Sequence, residues 1–137
     1  MRTNLALMMS LAVGILMGVL GSQALSAQQM AEKRTPVAKT DMVIAKGMEE
    51  SVTLVEMMPG AVGEKHFHNG DVMLYILEGS QTLEMDGRPP VTLTQGQAYH
   101  IDPKVPLTGK NPSATAPVRF LAFAVVQKGQ PVGVPVK

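Results

Sequence analysis

Residues 60–79 read GAVGEKHFHNGDVMLYILEG. His66 and His68 stand two apart, and on a β-strand such residues share a face, so the pair aims two imidazoles at one point. A strand can in this way offer two ligands to a borderline cation such as Zn, Fe, Ni or Cu. Asn69-Gly70 then marks a turn. Residues 72–77 are apolar throughout, the pattern of a strand covered on both sides. Pro59-Gly60 opens the stretch and Glu78-Gly79 closes it.

Outward from this stretch, short apolar segments alternate with turn signals about every 8–12 residues, the spacing of an all-β sandwich or barrel. The sequence predicts strands over residues 42–45, 52–57, 65–68, 72–77, 81–85, 91–94, 97–101 and 118–126. Asp86-Gly87, Gln95-Gly96 and Asn111-Pro112 are the breakers between the later ones. Residues 51–56 alternate polar and apolar, so one face of that strand meets solvent. Residues 28–39 are polar and read as an extended lead-in. Residues 128–137 carry Gly129, Pro131, Gly133 and Pro135, and are expected to form an extended tail that holds no ladder. Glu56, Glu78 and Glu84 fall at outward-looking strand positions, and Glu49-Glu50 reads as a solvated turn.

The opening stretch resembles the first signature of the cupin superfamily, G(X)5HxH(X)3–4E(X)6G. Gly60 takes the first glycine, His66 and His68 the histidine pair, and Gly79 the closing glycine. Residues 75–79, YILEG, are similar to the frequent YVLEG ending. Residues 96–111, GQAYHIDPKVPLTGKN, are similar to the second signature, GDxxxIPPGVPHxxxN. There the glycine, one proline, the Val105-Pro106 pair and Asn111 align without a gap. The resemblance spans roughly residues 42–128. It is nearest to small, single-domain exported cupins with a Lys-Gly-x-Pro tail, as in Lys128-Gly129-Gln130-Pro131. It implies an all-β, cupin-type double-stranded β-barrel (jelly-roll-like) of two facing antiparallel sheets, a single domain after an N-terminal signal peptide. It also implies a homodimer joined through sheet edges.

The same resemblance implies a metal held by two histidines and a glutamate of the first motif and a histidine of the second. Here the glutamate position falls on Val72, or on Met73 at the longer spacing, and the second histidine on Leu107. The glycine of the second motif's PxG turn falls on Lys104. His66 and His68 alone remain, a smaller set than the three or four protein ligands of usual zinc sites. Asp71, one place before the expected carboxylate, is a candidate third ligand. So is Met73, whose thioether would suit copper beside imidazole. The other methionines fit irregular core space in a chain with few aromatics. Tyr99 and Ile101 share a strand face; with those two in the core, His100 points the other way, to solvent or a subunit contact.

At the N-terminus, Arg2 precedes a predominantly apolar run over residues 5–20, followed by small residues. Ala24-Leu25-Ser26 matches the small-residue pattern of signal cleavage after Ser26. The run is shorter than the roughly 20 apolar residues of a spanning helix. The expected organisation is therefore a signal peptide at 1–26, a lead-in at 27–40, a barrel at 41–127 and a tail at 128–137, with a periplasmic or secreted product. The leader holds one of the 12 basic residues and none of the 11 acidic ones, leaving the mature part formally neutral. That balance argues against a nucleic-acid partner. The absence of cysteine excludes disulfides, thiolate metal sites and a cysteine nucleophile. No GxSxG or GxxxxGK[ST] is present, so neither a serine nucleophile elbow nor a nucleotide cofactor is expected.

Barrel closure leaves a cavity at one mouth. The expected function is binding of a small apolar or aromatic molecule in a pocket lined by Val72, Tyr75 and Leu107. A divalent metal or copper would be held weakly by His66 and His68. One alternative is a metal-dependent oxygenase or isomerase that also uses Asp71 or Met73. The other is a non-catalytic assembly module. No catalytic residue is assigned, and no membrane contact is expected after leader removal.

Overall fold

Period-two alternation and tight turns divide the chain into strands. The computed structural model describes residues 31–137, and the expected signal peptide at 1–26 lies outside them. The strands are β1 (Glu32–Asp41), β2 (Met48–Met57), β3 (His66–His68), β4 (Asp71–Glu78), β5 (Ser80–Met85), β6 (Val91–Thr94), β7 (Ala98–Ile101), β8 (Leu107–Lys110), β9 (Val118–Gln127) and β10 (Gly133–Pro135). They form two five-stranded sheets, ordered β1-β2-β9-β4-β7 and β10-β3-β8-β5-β6, antiparallel throughout. This is the all-β, two-sheet architecture expected.

The core lies between the sheets because alternate residues of each strand turn inward. β4 contributes Val72, Leu74 and Ile76, and β9 contributes Val118, Phe120, Ala124 and Val126. Leu83 and Met85 face them from β5, Leu107 from β8 and Ile101 from β7. Met57 and Met85 are buried core packing. The full two-sided cover expected for β4 does not occur among the described residues: Met73 and Tyr75 are each 41 % exposed on the outer face. An apolar run specifies burial on both sides only when a second layer covers the outer one, and the described residues supply none there.

Three further expectations are corrected. Residues 42–45 are not a strand but the loop of the β1–β2 hairpin, with Val43 and Ile44 almost fully exposed. The ladder partner of β2 is instead the polar lead-in, whose β1 is an edge strand held by backbone hydrogen bonds with little apolar cover. Pro36 is tolerated there because the register shifts between Pro36 and Ala38. Residues 107–110, absent from the predicted strands, form β8; Gly109 lies where a Cβ would come within 2.7 Å of the Gln81 amide nitrogen. The tail does hold a ladder, pairing Gly133 with His68, Val134 with Phe67 and Pro135 with His66.

Two glycines are required by close approach. A Cβ at Gly70 would lie 1.9 Å from the Val125 carbonyl oxygen, and Gly79 turns at a φ of +76° against the Pro117 carbonyl. Asn111, the last residue of the second signature, is 3 % exposed. Its amide nitrogen donates to the carbonyls of Met57, Met58 and Ala116 at 3.3, 3.0 and 2.9 Å. Its oxygen accepts from the Ser113 N–H at 3.0 Å. The side chain thus ties the loop before β9 to the end of β2. Replacing it strands buried backbone groups, each at about 1–3 kcal/mol. Urea unfolding of Asn111→Ala should show a loss of about 2–3 kcal/mol, and Asn111→Asp, which cannot donate, a loss of similar size.

Candidate functional site

β3 is short, and its neighbours hold it. β10 pairs along one edge, and His66 pairs with Leu107 of β8 on the other. Just beyond β3, the Asn69 N–H donates to the Val132 carbonyl and its amide to the Pro131 carbonyl. The Lys104 N–H donates to the His68 carbonyl at 2.9 Å. Lys104 adopts a φ of +66°, the one non-glycine among the described residues in the left-handed region. The backbone therefore keeps a glycine-type turn at the position where the resemblance expects glycine. The Lys104 ammonium sits 4.8 Å from the Phe67 ring centroid and donates to the Asn69 oxygen, so the strained residue is anchored at both ends.

The two imidazoles converge as the HxH spacing predicts. Their Nε2 atoms are 3.2 Å apart, with the rings edge to face. His66 Nδ1–H donates to the Glu64 carbonyl at 2.8 Å, which leaves the lone pair on Nε2. His68 Nε2–H then donates to it. His68 is 7 % exposed, and burial, then His66, then the Arg34 guanidinium lower its pKa to about 4. The ring is therefore neutral throughout the physiological range.

The histidines line a cavity of about 40 Å³ with Leu74, Gln81, Leu107 and Phe120, and with Glu32 and Arg34 from β1. This space is enough for about one water-sized molecule. Phe120, Leu74 and Leu107 occupy the interior, and the space beside the histidines is smaller than the apolar or aromatic ligand expected inside the barrel. His68 Nδ1 and Gln81 Oε1 are buried without a hydrogen-bond partner. Both accept hydrogen bonds, so a complementary guest brings O–H or N–H donors.

The remaining sequence candidates fall apart from this pair. Leu107 lines the cavity, whereas Val72 is core beside Ile101 and Tyr75 lies on the outer face. Asp71 and Met73 also turn outward, since they alternate with Val72 and Leu74. Neither completes the histidine set. Asp71 Oδ1 accepts from His100 Nε2 at 2.9 Å, and His100 Nδ1 lies 3.6 Å from Asp102, so that cluster belongs to the outer face. Glu32, Arg34 and Gln81 are the site residues the sequence reading missed. Gln81 had a signal: it shares a strand face with Leu83 and Met85. Glu32 and Arg34 alternate within the polar lead-in, and nothing local tells which strand they will join.

The chain belongs to the cupin family: the sequence profile described as the Cupin domain matches residues 53–124, more than half of the protein. Among solved structures it is similar to a cupin-like protein from Thermotoga maritima, at 19% identity and a TM-score of 0.62 over 77% of this chain and 75% of that one. It is similar to a double-stranded β-helix protein from Klebsiella pneumoniae, at 16% identity and a TM-score of 0.62 over 79% and 87%. It is also similar to KdgF from a Halomonas species, at 19% identity and a TM-score of 0.58 over 72% and 82%. At these identities the likeness shows the fold alone. No curated protein matches the sequence.

The family's metal can be tested against these residues. Ligand nitrogens lie about 2.0–2.1 Å from a zinc-sized ion, so two of them 3.2 Å apart can share one ion. The family's other ligand positions, Val72 and Leu107, are 1 % and 2 % exposed hydrocarbon. Among the described residues no cluster of three or more His, Cys, Asp or Glu is placed to hold a metal ion. The histidine pair fits an ion as a two-point site.

Burial of neutral His68 makes stability depend on pH. In the unfolded chain the ring protonates near 6.5, in the folded chain near 4. Between these values the unfolded chain binds more protons, so stability is lost as pH falls from 6.5 to 4, by up to about 3 kcal/mol. Denaturant unfolding across that range should show this slope in the wild type and a much flatter one in His68→Gln.

Proposed function

We propose that this protein is an exported cupin that binds a small ligand at the barrel mouth, with His66 and His68 holding one borderline cation loosely. The single observation that carries this reading is the 3.2 Å approach of the two Nε2 atoms. His66 is oriented by its bond to the Glu64 carbonyl, the outer-shell contact that fixes a ligating tautomer. His68 is kept neutral by burial, so moving its one ring proton from Nε2 to Nδ1 frees the Nε2 lone pair for the cation.

A bound cation would supply Lewis-acid polarisation of a ligand donor atom. Arg34, engaged with Glu32 at 2.5 Å, places positive charge near His68. That charge lowers affinity for a cation and favours a ligand with an electron-rich end. The hydrocarbon of Leu74, Leu107 and Phe120 limits what enters to a few atoms, so the remainder of any larger apolar ligand stays at the mouth. Asp71 and Met73 lie on the other face of β4, which removes the third ligand from the oxygenase or isomerase reading. The leader at 1–26 supports a periplasmic or secreted location.

Metal content by mass spectrometry and calorimetric titration of the untagged protein tests the proposal, using Fe, Mn, Ni, Cu and Zn salts in turn. At least one metal should bind near one per chain. His66→Ala/His68→Ala should weaken it by at least about 10-fold, the lower end for lost metal-site contacts. Arg34→Gln should tighten it. No uptake of any of the five, or uptake unchanged in the double variant, would overturn the reading.

A further inference from the structure

Gln81 is buried in the barrel interior with its side-chain hydrogen bonds unmade. It shares the inward face of β5 with Leu83 and Met85 and is 3 % exposed. Among the described residues the one partner of its Nε2 is the Met57 thioether, at 3.8 Å, and a thioether is a weak acceptor. Its Oε1 has no partner among them. An amide buried in this way costs stability that a hydrocarbon side chain at the same position would not. The next strand also makes room for it. Gly109 is buried in β8, and a Cβ there would stand 2.7 Å from the Gln81 nitrogen, so any other residue would push the amide aside. Gln81 and His68, the two residues with unpartnered buried atoms, line the same cavity of about 40 Å³. Native interiors rarely leave such atoms bare, and a guest that supplies the missing partners accounts for both.

We propose that Gln81 is the specificity-determining residue of this cavity and receives the hydroxyl end of a small alcohol. The proposal rests on the reading of the barrel mouth as a ligand site. A hydroxyl donates to Oε1 and accepts from Nε2–H, and it does so whichever way the amide is turned. A carboxylate brings no proton and leaves Oε1 bare. An ammonium brings no acceptor for the amide N–H, and it meets the Arg34 guanidinium in the wall of the same cavity. The space takes a hydroxyl and the carbon that bears it, so the rest of the molecule extends toward the mouth. The hydrocarbon of Leu74, Leu107 and Phe120 packs against that carbon and offers no competing hydrogen bond.

Ethanol and its isomer dimethyl ether test this, since they match in size and differ in the hydroxyl. The side-chain amide signals of Gln81 and the ring signals of His68 in isotope-labelled protein report the contact. Ethanol should shift both along one saturable curve, and dimethyl ether should bind at least about 10-fold more weakly, the factor for one lost hydrogen bond. Gln81→Met, close in length and without the amide, should shift His68 equally with the two isomers. Gly109→Ala, which keeps the amide but displaces it, should lose the same preference, so the test stands if one variant fails to fold. Equal binding of the isomers by the wild type would overturn the proposal, as would a preference that survives in both variants. So would the absence of any saturable shift together with a crystal structure holding an ordered water only against Gln81. Metal uptake by the wild type separates the two readings. With uptake intact, failure of the alcohol preference strikes the role of Gln81 alone; with uptake also absent, it strikes the ligand site itself.

Discussion

Strand β4 is gripped along both edges, by β9 and by β7, and that double ladder fixes which of its side chains face which way. Because side chains alternate with a period of two, a slip of one residue would exchange every inward position for an outward one. Val72, Leu74 and Ile76 would leave the core, and Asp71, Met73 and Tyr75 would enter it. The hydrocarbon wall behind the histidines and the apolar outer face both follow from this one register. Gly70, which lets the chain cross close to the Val125 carbonyl, sets where that register begins.

The same constraint explains the chemistry of the site. In the family pattern the inward position at Val72 would carry a carboxylate; here it adds only packing, as does Leu107 across the barrel. Hydrocarbon at Leu107, with Leu74 and Phe120, lines the cavity beside His68, and burial is the largest cause of its lowered pKa. A site built this way depends less on charge than on two neutral, oriented imidazoles. Its polar surroundings come from outside the signature region: Arg34 and Glu32 reach it from the first strand, and Gln81 from the fifth.

How much was legible differs between the fold and the site. The two signature stretches and the turn glycines pointed to a two-sheet barrel, and the HxH spacing to two rings on one face. The apolar continuity of residues 72–77 pointed to cover on both sides, which holds for one face only among the described residues. Polar β1 and the proline-bearing β10 gave no periodic apolar signal, because backbone hydrogen bonds rather than buried side chains define them. Asp71 stood close to the right sequence position for a ligand, and strand parity sent it to His100 instead.

The sequence by itself determined the β architecture, the cupin pattern and the pairing of His66 with His68. These rest on local spacing, which dictates the face of a strand a residue occupies wherever that strand ends up. The tertiary structure alone decided that β1 and β10 frame the histidines, that Asp71 and Met73 lie away from them, and how little space the barrel encloses. Those outcomes depend on which distant strands become neighbours and how closely their side chains fill the gap. No short window of sequence carries that information.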